Sequence, residues 1–91
     1  MAKTPATLEK IGKENLNKEI LRTGVIAEMD AINLYEQMAA LTTKGSIKKV
    51  LLDIAKEEKT HVGEFLALLL EEDREQQKEL EQGKKEVEES R

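Results

Sequence analysis

From residue 15 onward the apolar positions recur at intervals of three and four. Leu16, Ile20, Leu21, Val25, Ile26, Met29, Ile32, Tyr35, Met38 and Ala39 form a wide stripe, which predicts one long helix from about Asn15 to Leu41. Gly24 is its one weak point, since glycine in a helix interior costs about 1 kcal/mol relative to alanine. Thr42-Thr43-Lys44-Gly45-Ser46 then breaks the pattern, with a glycine suited to a left-handed cap on the first helix and a serine suited to cap the next. The spacing resumes at Ile47, Val50, Leu51, Ile54, Ala55, His61, Val62, Phe65, Leu68 and Leu69, predicting a second helix from about Ser46 to Glu71. So short a break forces the two helices antiparallel, as a hairpin.

The ends carry a weaker pattern. After Glu72-Asp73 the composition shifts to Glu, Gln, Lys and Arg, so residues 73–82 are predicted as a short polar third helix anchored by Leu80. Gly83 is expected to interrupt it and to leave 83–91 as a charged tail. Residues 1–14 hold the only proline and little periodicity and read as a flexible arm. The expected fold is therefore all-α: a two-helix hairpin with a short C-terminal helix, in a single domain of residues 15–82. Aromatic residues make up only 2% of the chain and charged ones 37%, which suits a Leu, Ile and Ala core between helices and leaves no reason to expect strands.

Size and charge narrow the function. A chain of 91 residues buries too little of its own surface to be comfortably stable alone, so self-association is expected. With a net charge of −4 it lacks the basic footprint of a nucleic-acid binder, and cations are better ligands for it than phosphates. The longest apolar run, Phe65 to Leu70, falls far short of the ~20 residues that span a bilayer, so no membrane partner is expected. Cysteine is absent, which excludes thiolate metal sites and is compatible with the cytoplasm. The N-terminus leads into polar sequence rather than a signal-peptide core.

Three ionisable residues interrupt the apolar stripes. Glu58 and His61, the only histidine, are three apart and share a helix face with Ile54 and Phe65, while Glu28 falls among Leu21, Val25, Ile32 and Tyr35. A carboxylate in such a place must be paired, protonated or bound to a cation. Glu28 lies 16 residues before Lys44 at the centre of the break, and Glu58 and His61 lie 14 and 17 after it, so an antiparallel hairpin brings all three to one height. A Glu from one helix and a Glu-x-x-His from its neighbour is half the ligand set of a di-iron four-helix bundle. Half a bundle and half a site are completed together by a symmetric dimer of hairpins. Carboxylates with an imidazole favour a first-row transition metal over Mg²⁺ or Ca²⁺. Tyr35, seven residues beyond Glu28, is placed to serve that site or simply to pack. The competing reading is a purely structural helical dimer or adaptor in which Glu58 and His61 form a buried polar pair that fixes register.

Glu28-Met29-Asp30-Ala31-Ile32-Asn33-Leu34-Tyr35-Glu36-Gln37, followed by Glu57-Glu58-Lys59-Thr60-His61, resembles the encapsulated ferritins, two-helix members of the ferritin-like superfamily, over roughly residues 16–82. The resemblance implies a ferroxidase that oxidises Fe(II) with dioxygen at a two-iron centre shared by two subunits. Glu28, Glu58 and His61 would be its ligands, with Tyr35 close by. It further implies five dimers closed into a decamer inside an encapsulin nanocompartment in the cytoplasm, with the encapsulin shell protein as partner and iron storage as the outcome. A metal-access site formed in such proteins by acidic residues flanking the first ligand would here retain only Asp30, because Ala27 occupies the other position. The short C-terminal peptide that loads such proteins into their shell is not evident in residues 83–91, so the chain is joined to a shell protein, has lost a tail or is targeted otherwise. A peroxide-reducing rubrerythrin relative is a weaker alternative, because no cysteine-ligated iron is present to deliver electrons.

Overall fold

Three residues, 42–44, separate the two long helices in the computed structural model, which describes residues 13–91 of the chain. These helices are α1 (Lys13–Leu41) and α2 (Gly45–Glu72), followed by α3 (Arg74–Glu89), and the described residues contain no strand. The arm expected over residues 1–14 lies outside the described residues up to residue 12; Lys13 already opens α1.

The turn is built differently from the sequence expectation. No described residue, glycine included, takes a positive φ, so Gly45 is not a left-handed cap but the first residue of α2, with Ser46 following it in the helix. Lys44 makes the reversal instead with an extended backbone, φ −95° and ψ 116°. The Thr42 amide still reaches back to the Met38 carbonyl at 3.1 Å, and Thr42 Oγ1 accepts from the Lys44 amide at 3.2 Å. A β-branched hydroxyl residue thus satisfies the exit that glycine was expected to satisfy.

The third helix is longer than its composition indicated. α3 runs 16 residues and passes through Gly83 without a break. The residues on either side, Glu79, Leu80, Glu81 and Gln82 before it and Lys84, Lys85 and Glu86 after it, are strong helix formers, and one glycine among them costs only about 1 kcal/mol. Asp73 starts the helix: Oδ1 accepts from the Gln76 amide at 3.0 Å, while its own amide donates to Leu69 at 2.8 Å and closes α2.

The core is a narrow seam. Ile32 and Ala39 on α1 and Ala55, Val62 and Leu69 on α2 are the buried apolar residues among those described. Successive members on each helix are seven apart, as in a coiled coil. The molecule measures 47 × 41 × 17 Å, and 17 Å is little more than the ~10–12 Å diameter of one helix. A single layer cannot cover both faces of its own helices. Ile20, Ile47, Val50 and Leu68 are accordingly exposed on one face, and Ile26, Met29 and Leu52 on the other, so Met29 is not the core residue its place in the stripe suggested. α3 leaves the hairpin on the second face, where Gln76 and Leu80 of its first two turns share a cleft with Arg22, Val25, Ile26 and Leu66. The first face carries the ionisable residues.

Candidate metal centre

Glu28 projects from the middle of α1, one turn before the seam residue Ile32. Glu58 and His61 project from the middle of α2, flanking the seam between Ala55 and Val62. The hairpin brings one ligand atom from each of the three within 4.8 Å of the others, and no other group of three His, Asp or Glu residues is so arranged among the described residues. The matched heights read from the sequence are therefore matched in space.

The contacts have a particular geometry. His61 Nδ1 stands 3.5 Å from Glu28 Oε2 and 3.5 Å from Glu58 Oε2. An N–H···O hydrogen bond prefers 2.7–3.2 Å, so the imidazole is not drawn onto either carboxylate. Glu28 Oε2 is buried and has no hydrogen-bond partner. Such an atom ordinarily costs about 1–3 kcal/mol, and it persists where something else is meant to meet it. Two carboxylate oxygens and an imidazole nitrogen form a donor set for a first-row divalent metal. Bonds of about 2.1 Å would set neighbouring donors about 3–3.5 Å apart, the spacing found here around Nδ1. The residues fit a cation.

Exposure shows which side is open. The Glu28 and Glu58 side chains are 20% and 19% accessible and His61 is 44% accessible. The carboxylates lie at the edge of the seam and the imidazole on the uncovered ligand face. Its neighbours there, one or two turns away on α2, are Ile54, Phe65 and Leu68, with Ile20, Ala27, Ala31 and Tyr35 on the matching side of α1. One chain supplies three donors and leaves the rest of a coordination sphere facing out.

The other residues singled out by sequence lie apart from this group. Tyr35 is half-buried two turns nearer the loop on α1. Asp30 falls about 200° round the helix from Glu28 and is engaged by another residue, so the hairpin does not bring it to the three donors. Lys59, next in sequence to Glu58, reaches across the opposite face to Glu36 at 2.9 Å and ties the helices together beside the site. Helix spacing does not indicate that pair, because Glu36 lies 8 residues before Lys44 and Lys59 lies 15 after it, so their heights do not match and only the long side chains bridge them. Among the described residues no helix is long and apolar enough to cross a membrane.

Known proteins match the chain in sequence and in fold. A family model described as EncFtn-like matches residues 3–86. A ferritin-like-encapsulin shell fusion protein of Pyrococcus furiosus is 60% identical over 77 residues, 85% of this chain, and this chain spans only 22% of that protein's length. The crystal structure of an encapsulated ferritin domain from Pyrococcus furiosus superposes with a TM-score of 0.79 at 53% identity, covering 98% of this chain and 84% of that one.

Proposed function

The chain belongs to the EncFtn-like family, and from that membership and the convergence of Glu28, Glu58 and His61 we propose that it is a ferroxidase, oxidising Fe(II) to Fe(III) with dioxygen at a two-iron site shared by two copies. The observation that carries the reading is the buried Glu28 Oε2, which no hydrogen bond reaches, held beside Glu58 and the Nδ1 of His61. Two copies related by a two-fold axis on the ligand face double the donors to four carboxylates and two imidazoles, a set that accommodates two iron ions. The same pairing would cover Ile20, Ile47, Val50 and Leu68, all exposed in the single chain.

Each chain then contributes charge and position. Glu28 and Glu58 neutralise the cations and hold them close enough together for dioxygen to take one electron from each. His61, the more exposed of the three donors, would add an imidazole nitrogen that favours a transition metal. Tyr35, along α1 from Glu28, is a candidate for a hydrogen bond to a ligand or for electron transfer. Iron is the substrate here, and mineral iron the destination. The encapsulin shell named in the Pyrococcus relative supports a shell protein as partner and an encapsulin compartment as the place of storage. A ring of five dimers rests on the family resemblance alone.

The test is the near-ultraviolet absorbance of ferric product after Fe(II) is mixed with metal-free protein in air, beside Glu58→Ala, His61→Ala and a protein-free blank. Wild type should run well above the blank and both variants fall to it. Variants that oxidise iron at the wild-type initial rate would sink the reading, and four coincident traces would leave a structural polar pair.

A further inference from the structure

Gly24 precedes Glu28 by one turn of α1, and Phe65 follows His61 by one turn of α2. In an antiparallel hairpin these positions meet on the loop-distal side of the site. A Cβ built on Gly24 would lie 2.9 Å from both Cδ1 and Cε1 of Phe65 and 3.1 Å from its Cγ. The ring therefore lies flat on bare α1 backbone, and α1 stays helical through Gly24. The glycine that looked like a weak point of the helix is a seat for the ring.

We infer that Gly24 and Phe65 are a positioning pair that sets the helix separation beside the metal centre, and with it the distance of Glu28 from Glu58 and His61. The inference rests on the ferroxidase reading only in needing a metal at that centre. A long side chain on a helix leans over the turn before its own Cα, so Phe65 covers the turn that carries His61. Rotation of the ring about its own axis moves Cδ1 and Cε1 but leaves Cγ, the root of the ring, at 3.1 Å, still tighter than ordinary contact. With alanine at 24, the contact must open from 2.9 Å to an ordinary 3.4–4 Å, by separating the helices or swinging the ring toward the open face. A shift of about 0.5 Å or more equals the tolerance within which a site's ligands must be held. Neither residue touches the metal; each acts through the spacing of those that do.

Co(II) titration of the metal-free chain tests this, read by visible absorption and by equilibrium affinity, with helix content measured alongside. Gly24→Ala should keep its helix content, since alanine is the better helix former. It should bind Co(II) about tenfold or more weakly, in line with the loss seen when residues supporting metal ligands are removed. Its spectrum at saturation should also differ, which a mere weakening of the pairing between copies would not produce. Gly24→Ala/Phe65→Leu, which removes the collision, should return to within about threefold of wild type. Should the single variant fail to fold, the double variant decides: wild-type binding and spectrum sustain the inference, and impaired binding overturns it. Wild-type binding and spectrum in Gly24→Ala overturn it as well, with the metal centre intact. A wild type that binds no Co(II) removes the centre itself and the positioning role with it.

Discussion

Two carboxylate oxygens standing 3.5 Å from one imidazole nitrogen are in a poor arrangement for a protein without metal, and Glu28 Oε2 bears most of the cost because it is buried without a partner. Removing its charge at constant shape should therefore move stability and binding in opposite directions. Glu28→Gln is expected to leave the metal-free melting temperature unchanged or raise it by about 4–8 °C, the shift that ~1 kcal/mol produces in a domain of this size. The same variant should bind Fe(II) or Co(II) at least about tenfold more weakly. A drop in metal-free melting temperature would instead mark Glu28 as half of a structural pair. The meeting of these three residues was legible because it depends only on helix phase and distance from the loop. What periodicity does not carry is which imidazole nitrogen faces the carboxylates, since that depends on side-chain direction rather than spacing; that Asp30 points away from them follows from helix phase alone.

Among the elements, α3 is held by a single joint. Asp73 is a buried polar residue that caps α3 through the Gln76 amide and accepts from Arg22 of α1, Nη2 to Oδ2, at 2.6 Å. The Gln76 hydrogen bond, with help from Arg22 and Lys18, holds its carboxyl below the usual range against the opposing effect of burial. A lowered folded-state pKa means a contribution to stability that is complete above the ordinary value of about 3.9 and is lost as pH falls through the lowered one. Asp73→Asn keeps the capping oxygen and loses the charge. Its melting temperature should fall below wild type at neutral pH, and the gap should close below about pH 4; a gap unchanged down to pH 2 rules the joint out as a charge interaction. Hairpin, seam and turn position were readable because apolar periodicity records them over seven turns of each long helix. The form of the turn was not, since a threonine hydroxyl and an extended lysine replaced the expected glycine. Nor was the length of α3, where strong helix formers on both sides carry the helix through Gly83.

At the scale of the whole molecule, one layer of helices about 17 Å thick leaves two apolar faces, and only one of them carries the donors. Val50 and Leu52 separate the faces well. They are two apart on α2, 56% and 46% exposed, and point to opposite sides, Val50 to the ligand face. In an isolated hairpin a charge at either exposed position should change stability by no more than about 0.5 kcal/mol. If two copies share the irons across the ligand face, the outcomes diverge. Val50→Glu would place like charges near the partner at a distance from the ligands themselves, blocking pairing and leaving only half a site per chain. Leu52→Glu should be silent. Sedimentation velocity with and without Fe(II), in the absence of oxygen, is the measurement. Wild type and Leu52→Glu should shift toward the dimer or a larger assembly as metal is added, because an ion that binds only between copies stabilises their association by mass action. Val50→Glu should remain a single hairpin at the same metal concentration and oxidise iron no faster than the blank. Metal-driven assembly of Val50→Glu equal to wild type would place the shared site, or the pairing, on some other surface.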